Sequence, residues 1–220
     1  MQEDKKNIVK IITSMGGKYS PDMIFSDWVE CCALTIVNAC DIFQGKVWEK
    51  REEQYKRIIE KYTPEERQKM VEMTCLLSGA MDGEVTDILG EIYMESGCGS
   101  KQTGQFFTPY HLSKAIADVM TQEDISEENK LELYEPSCGA GGMIIAKAAA
   151  LNERGINFQR CMRVVAQDLD WRGVYMTYVQ LSLMGIDAIV VQGNTLTEPY
   201  KRGYPRERVF RTPKNVGMLL

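Results

Sequence analysis

The feature that most constrains the fold is a glycine-rich turn placed directly between a predicted strand and a predicted helix. Residues 131–134 form a short apolar run, residues 135–142 have the sequence EPSCGAGG, and a helical pattern runs from 143 to about 154. Glycines in such a turn allow a tight bend and a close approach of the backbone to a ligand, and the following helix presents free N–H groups. A glycine turn alone is a weak signal, since it also joins strands to helices where no ligand binds.

Strand–helix alternation continues after this turn. A second short strand covers 164–166 and ends at Asp168, a helix covers 172–184, and a third strand covers 188–191. This order is typical of α/β proteins with a parallel sheet and right-handed crossovers. We therefore expect an α/β fold in which a helical N-terminal region precedes an incomplete Rossmann-like sheet. We expect the open edge of that sheet to be covered by the N-terminal helices, by a second copy in a homodimer or by a partner chain.

The first part of the chain has helical periodicity from residue 1 to about 95. The sequence TPEE at 63–66 is a helix start, with a capping threonine, a proline at the first helical position and acids in the first turn. The glycine-rich, polar segment 95–104 predicts a loop or a domain boundary. We predict a helical region at 1–98 and a partial α/β domain at 99–220.

The charge of the chain limits its partners. The 220 residues are 44% hydrophobic and 26% charged, which is ordinary for a soluble globular protein, and the formal net charge is −5. A free-standing non-specific DNA binder is usually basic, so this balance leaves DNA contact only to a local patch or a partner. The basic stretch KRGYPRERVFRTPK at 201–214 is either such a patch or a solvated or docked segment, and the acidic remainder favours the second interpretation.

Cysteine usage gives no indication of a metal site. The seven cysteines are scattered without a C-x-x-C pair, and His111 is the one histidine. We therefore expect no metal, and free thiols in a reducing compartment. The N-terminus lacks the apolar core of a signal peptide, and no stretch approaches the roughly 18 uncharged apolar residues of a membrane span. The prediction is a cytoplasmic protein without a membrane segment.

An acidic residue at the end of the second strand sharpens the interpretation of the glycine turn. Asp168 follows the strand, and a carboxylate there can accept hydrogen bonds from both ribose hydroxyls of a nucleoside cofactor. NAD is disfavoured because the turn is not G-x-G-x-x-G and because the acid Glu135 precedes the glycines. A solvated loop aspartate without a ligand remains open at this point.

Four segments in order resemble the N6-adenine DNA methylase family. The sequence GQFFTP at 104–109 resembles its F-T-P motif, EPSCGAGG at 135–142 resembles D-P-A-C-G-T-G-G, AQD at 166–168 resembles G-Q-E, and GNTL at 193–196 resembles G-D-T-L. Their order and spacing are similar to those of the methylation subunits of type I restriction-modification systems. The resemblance covers about residues 100–200.

The resemblance implies a site for S-adenosylmethionine and a methyltransferase type of sheet. The implied cofactor-binding residues are Phe106, Phe107, Thr108, Pro109, Glu135, Pro136, Cys138, Gly139, Ala140, Gly141, Asp168, Leu169, Asn194 and Thr195. The segment 106–109 is implied to lie over the methionine end. Glu135 and the backbone of 138–141 are implied to hold the amino-acid part.

The remaining roles concern the adenosine part of the cofactor. By the same resemblance, Asp168 binds the ribose, Leu169 packs on the adenine, and Asn194 meets the adenine amino group or ring nitrogens. Asn194 replaces the more usual aspartate of the family. An amide still donates and accepts hydrogen bonds, so this is a mild departure.

The residues that perform methyl transfer in this family have no counterpart here. The exocyclic amine of adenine is a poor nucleophile, and the family meets it with an (Asn/Asp)-Pro-Pro-(Tyr/Phe) tetrapeptide. The chain has seven prolines and no Pro-Pro pair. We therefore predict no catalytic residue, expect the chain to stop before that motif, and expect it not to methylate DNA alone. The alternatives are a non-catalytic module that binds S-adenosylmethionine or assembles with a partner, and a remnant that no longer binds the cofactor.

Overall fold

The computed structural model describes residues 2–97, 107–120 and 125–218. The helices are α1 (Gln2–Ser14), α2 (Pro21–Cys40), α3 (Lys46–Ile59), α4 (Pro64–Met81), α5 (Ile88–Glu95), α6 (Tyr110–Met120), α7 (Gly142–Glu153), α8 (Phe158–Cys161) and α9 (Trp171–Leu183). The strands are β1 (Leu131–Glu135), β2 (Met162–Asp168), β3 (Asp187–Gln192) and β4 (Val209–Arg211). The chain is therefore an α/β protein with a helical N-terminal region, as predicted. The predicted boundary between residues 98 and 99 lies outside the described residues.

Helix α2 connects the helical region to the rest of the molecule. It begins after Ser20, whose hydroxyl accepts the N–H of Met23, with Pro21 in the first helical position. It packs against both α3 and α9 and buries Trp28. Among the described residues it is the one helix that is long and apolar enough to cross a membrane by length and composition, and its packing inside the protein accounts for that apolar character.

Local signals set the start of α4 as the sequence predicts. The hydroxyl of Thr63 accepts the N–H of Glu66, and the Glu66 carboxylate accepts the N–H of Thr63 in return. Both bonds satisfy backbone donors that have no partner within the helix. The capping prediction is confirmed.

The sheet has the order β1-β2-β3-β4, in which the first three strands are parallel. These parallel strands confirm the strands predicted near 131–134, 164–166 and 188–191. Strand β4 pairs antiparallel with β3 and was not predicted, because it lies within the basic stretch 201–214. Among the described residues no strand pairs with the outer edge of β1.

Burial of one ring explains why the basic stretch forms a strand. Phe210 of β4 is buried against the rings of Trp171, Tyr175 and Tyr178 on α9. Arg51 of α3 lies over the Phe210 ring and donates to two carbonyl groups of the same segment. Burial of the apolar Phe210 ring contributes most of the stabilisation of β4, and the contact with Arg51 adds less. The stretch is thus docked on the protein, in agreement with the second interpretation.

The two faces of the sheet differ in burial. One face carries Val164, Ala166, Ala188 and Val190, which are buried, and helices α7 and α9 pack against the strands. On the opposite face the exposed guanidinium of Arg163 forms ion pairs with one carboxylate on β1 and another on β3. Parallel sheets are usually covered on both faces. Within the described residues helices cover one face, whereas the other face is buried only near the carboxyl ends of β2 and β3, at Gln167 and Val191.

Candidate cofactor-binding site

The carboxyl ends of the three parallel strands lie side by side. Tyr134 of β1 is in register with Val165 of β2, and Gln167 of β2 is in register with Val191 of β3. Loops that follow these ends therefore meet at one edge of the sheet. Such a crevice is where open α/β sheets bind ligands.

The glycine-rich turn after β1 needs its glycines. Gly139 and Gly141 have φ values of +51° and +92°, in the left-handed region that residues with a side chain rarely adopt. Helix α9 holds the turn from behind, because the Thr177 hydroxyl and the Gln180 amide donate to the carbonyls of residues 139 and 140, at 2.8 Å each. The turn is thus fixed by its own backbone and by helix α9.

Asp168 at the end of β2 is bound to this turn. Its Oδ2 accepts the N–H of Gly139 at 2.8 Å, and its Oδ1 accepts the N–H of Asp170 at 2.9 Å. A carboxylate offers about four acceptor positions, so the half-buried Asp168 keeps capacity for two further donors. The geometry suits a ligand with two neighbouring hydroxyl groups.

Phe107 lies directly over the glycine turn. A Cβ on Gly139 would lie 2.9 Å from the Phe107 ring, so only glycine fits beneath it. The ring also contacts Tyr93 of α5, with 5.2 Å between the ring centroids. Arg172 donates to the Tyr93 hydroxyl at 2.7 Å and pairs with Asp22 of α2. The N-terminal helices therefore hold the segment that covers the turn, whereas the predicted Phe106 lies outside the described residues.

A cleft of about 410 Å³ lies between this covering segment and the glycine turn. It is lined by Asp87, Phe107, Thr108, Ser113, Ser137, Cys138, Gly139, Ala140, Gly142, Met143, Asp168 and Gly173. The structure thus brings six of the predicted residues together, and these are Phe107, Thr108, Cys138, Gly139, Ala140 and Asp168. The described lining contains two carboxylates and no lysine, arginine or histidine. The cleft therefore favours a ligand with positive charge.

The other described residues of the predicted site surround the cleft without lining it. They are Pro109, Glu135, Pro136, Gly141, Leu169, Asn194 and Thr195. Glu135 accepts the N–H of Ser137 at 3.2 Å, which stabilises the start of the turn. Pro109 accepts two N–H groups in the first turn of α6, and Gly141 is the residue before α7.

The loop after β3 approaches the glycine turn from the other side. The Thr195 hydroxyl donates to the Pro136 carbonyl at 2.6 Å, which joins the two loops above the end of β2. The Asn194 side-chain oxygen accepts the N–H of Leu196 at 3.0 Å. The Leu169 side chain is exposed near this rim. These residues form the outer edge of the crevice, next to Asp168.

Sequence reasoning missed Asp87, which precedes α5. Its Oδ1 accepts the N–H of Gly90 at 2.9 Å and the Gln180 amide at 2.8 Å, and the residue is buried. Burial raises the pKa of this carboxyl to about 6. An aspartate before Ile88-Leu89-Gly90 indicates a helix cap, but no spacing rule shows that it reaches the glycine turn.

Ser113 on α6 was also missed. It is fully buried, and in the part of the chain that the structure describes its hydroxyl has no hydrogen-bond partner. A Cβ on Gly142 would lie 3.1 Å from Asp87 Oδ2 and 3.8 Å from Ser113 Oγ. The two polar side chains therefore flank the same glycine at the start of α7. A serine within a helix has many ordinary positions, so the sequence offered no signal for Ser113.

Cys138 lies in the turn as a neutral thiol. Burial raises the pKa of this thiol well above its ordinary value. A neutral buried thiol is a poor nucleophile, so Cys138 serves as a small packing group.

Comparison with protein-family models decides the affiliation of the chain. The model described as N-6 DNA Methylase matches residues 84–213. The chain belongs to the N-6 DNA methylase family. This confirms the resemblance stated from the four sequence segments.

Comparisons with other proteins add distant likenesses for this member of the family. No curated protein matches the chain. A solved structure described as a class I S-adenosylmethionine-dependent methyltransferase of Listeria monocytogenes is 10% identical with a TM-score of 0.49, over 89% of this chain and 55% of that one. The methyltransferase subunit of a type I restriction-modification system from Streptococcus thermophilus is 16% identical with a TM-score of 0.46, over 88% of this chain and 44% of that one. The chain spans about half the length of these two structures.

The matched span of the N-6 DNA methylase model contains the whole cleft. Every described lining residue, from Asp87 to Gly173, falls within 84–213. Helices α1 to α4 precede that span. Asp87 and Ser113 are therefore part of the family region even though no recognised motif includes them.

Proposed function

We propose that this chain binds S-adenosylmethionine in the cleft and supplies the methyl-donor site of an adenine-specific DNA methylase of the restriction-modification type. The observation that carries the proposal is the charge of the cleft, which has two carboxylates and, among its described lining residues, no cationic side chain. S-adenosylmethionine has a permanent sulfonium charge and an ammonium group. NAD and nucleoside phosphates are anionic, so the same cleft disfavours them.

The arrangement of the lining supports one orientation of the ligand. The two acceptor positions left on Asp168 suit the ribose hydroxyls, and the exposed rim at Leu169, Asn194 and Thr195 is then on the adenine side. The glycine turn and Phe107 are on the methionine side. Residues outside the lining, such as Glu135 and Pro136, support the turn and the neighbouring loop.

The residues of the proposed donor site do not include a pocket for the target adenine. A target adenine must leave the DNA helix, and its amine must be positioned and made more nucleophilic. The chain has no Pro-Pro pair, so no asparagine or aspartate in it begins an (Asn/Asp)-Pro-Pro sequence. We propose that another segment or a partner chain supplies this pocket, together with most of the DNA contact. The unpaired edge of β1 is the proposed place for that addition.

Calorimetric titration tests the donor site. We expect S-adenosylmethionine and S-adenosylhomocysteine to bind, and NAD and ATP not to bind. Gly139→Ala places a methyl group 2.9 Å from Phe107 at a left-handed position, so we expect it to weaken binding strongly. Gly79→Ala is the matched control, because nothing lies within 4 Å of the added carbon. Binding of NAD or ATP in preference to S-adenosylmethionine would contradict the proposal.

A methylation assay tests the second half of the proposal. Purified chain, labelled S-adenosylmethionine and unmodified DNA should give no methyl incorporation above background, since misplacement of about 1 Å can cost orders of magnitude in rate. A complete adenine methylase is the positive control. Sustained turnover by the chain alone would show that it contains a base pocket. Donor binding with no partner that restores transfer would favour a non-catalytic module instead.

A further inference from the structure

We propose that Asp87 and Ser113 form the subsite for the amino-acid end of S-adenosylmethionine, in which the Asp87 carboxylate accepts from the α-ammonium and the Ser113 hydroxyl donates to the α-carboxylate. The proposal rests on the proposed function and assigns two side chains that lie outside the family motifs. Both residues line the cleft, and both flank Gly142.

Asp87 is a buried carboxylate whose ionised form a cation would stabilise. It is 3% exposed, and its two hydrogen bonds within the described residues both reach Oδ1. Its Oδ2 is the oxygen that lies closer to Gly142. An ionised carboxylate that is removed from water without a positive partner is costly.

No protein cation in the described lining meets that need. The charged group that acts on Asp87 is Glu91, a second carboxylate, which raises the pKa of Asp87 further and is itself paired with Lys5. A ligand ammonium is therefore the partner that fits Oδ2. The hydrogen bonds from Gln180 and from the backbone of Gly90 keep the carboxyl group in place for it.

Ser113 supplies the complementary donor. It is 0% exposed, and its hydroxyl has no hydrogen-bond partner among the described residues, although buried hydroxyl groups are usually satisfied. Its position beside Gly142 is also beside the start of α7, where backbone N–H groups favour an anion. A carboxylate at this point would accept from the Ser113 hydroxyl and face the helix N-terminus.

The spacing along the glycine turn agrees with a single extended ligand. Asp168 binds the N–H of Gly139, whereas Asp87 and Ser113 lie beside Gly142. Three residues of backbone reach at most roughly 10 Å. The ribose of S-adenosylmethionine is joined to its amino-acid group by a short flexible chain, so one molecule can contact both ends of the turn.

The test uses ligands that differ at the amino-acid end, namely S-adenosylmethionine, decarboxylated S-adenosylmethionine and 5′-methylthioadenosine. The last lacks the whole amino-acid end and also the sulfonium charge, so each variant is compared with the unaltered chain for the same ligand. Asp87→Asn keeps the shape of the side chain and an acceptor for the N–H of Gly90. It should lower the affinity for the first two ligands about 10- to 100-fold, because a hydrogen bond between charged groups is lost. Binding of 5′-methylthioadenosine should stay unchanged. Asp82→Asn removes an exposed carboxylate outside the cleft and is the control.

Ser113→Ala provides an independent variant. It should lower the affinity for S-adenosylmethionine roughly two- to tenfold and leave the affinity for the decarboxylated ligand unchanged, because only the first ligand has the α-carboxylate. Equal losses for all three ligands in either variant would overturn the subsite and leave a structural role. Equal affinity of the unaltered chain for 5′-methylthioadenosine and S-adenosylhomocysteine, two thioethers that differ at the amino-acid end, would also overturn it while the proposed function stands. Failure of the unaltered chain to bind any of the three would overturn the proposed function itself.

Discussion

Two regions of the molecule each contribute one carboxylate to the cleft, and the two carboxylates are held in different ways. Asp168 comes from the α/β region, is half-buried and accepts the backbone N–H groups of Gly139 and Asp170 in the same region. Asp87 comes from the helical region, is buried and depends on Gln180, which is 93 residues away in the chain. The first belongs to a strand end that topology places at the crevice. The second reaches the crevice only through packing of α5 against α9.

This difference also determines the charge that each region offers. Burial raises the pKa of Asp87 to about 6, so near neutral pH its carboxylate is ionised at a cost that a ligand cation would remove. The α/β region supplies fixed acceptors, and the helical region supplies an acceptor whose charge depends on pH and ligand. The following predictions compare the two regions by their effect on affinity for S-adenosylmethionine.

The largest effect is expected at Asp168. Asp168→Ala should lower the affinity about thirtyfold or more, or roughly 2–3 kcal/mol, because two hydrogen bonds from the ribose hydroxyls to a charged group are lost. The variant also leaves the N–H groups of Gly139 and Asp170 without their acceptor. Isothermal titration calorimetry measures the affinity, and circular dichroism checks the fold.

Asp168→Asn separates the loss of charge at the ribose from the loss of the acceptor that holds the turn. The amide keeps one acceptor for the turn but has no charge, so its affinity should lie between those of the unaltered chain and Asp168→Ala. An affinity that Asp168→Ala leaves unchanged would mean that the ribose is held elsewhere. The α/β region would then lose its assigned role in binding.

A smaller effect is expected from pH, and it should trace to Asp87. The folded, ligand-free carboxyl has a pKa raised to about 6 by burial, and an ammonium partner would lower that value in the complex. Binding then releases a proton below pH 6, so affinity should fall roughly tenfold between about pH 7 and about pH 5. Titration calorimetry in two buffers of different ionisation enthalpy measures both the affinity and the released proton.

Asp87→Asn is the control for this prediction, since an amide does not titrate in this range. Its affinity should be lower throughout and nearly independent of pH. For the ligand-free chain the free energy of unfolding should fall as pH rises, whereas the affinity for S-adenosylmethionine should rise. The contribution of Asp87 to stability is present below its unfolded pKa and is lost as pH rises through about 6, and the variant should lack that loss. A pH dependence that persists in Asp87→Asn would assign it to another group.

The parts of the fold that the sequence predicted are those set by local chemistry. The cap at Thr63, the glycines of the turn and each of the three parallel strands have sequence patterns formed by residues close to one another in the chain. Strand β4 was missed because Phe210 is buried by rings on α9 and by Arg51, all distant in sequence. A basic segment gives no local indication of that burial.

The same distinction applies to the cleft. Motif residues such as Gly139 and Asp168 were found because strand ends and turns have fixed places in an α/β sheet. Asp87 and Ser113 were missed because a capping aspartate and a helix serine have many ordinary positions. Their meeting at Gly142 requires the packing of three segments, which periodicity does not show.

The smallest effect is expected at Thr195, where the sequence and the structure suggest different degrees of involvement. The family resemblance includes Thr195 in the cofactor site, whereas its hydroxyl donates to the Pro136 carbonyl and joins two loops at the rim. Thr195→Val keeps the shape and removes this bond. Water can replace the lost donor at the rim, so we expect at most a threefold loss of affinity, or about 0.7 kcal/mol. Thr195→Ser should restore the affinity, because it keeps the hydroxyl group. The same titration decides the matter: a loss as large as that of Asp168→Ala would place Thr195 in direct contact with the ligand and extend the cleft across the end of β2 to the loop after β3.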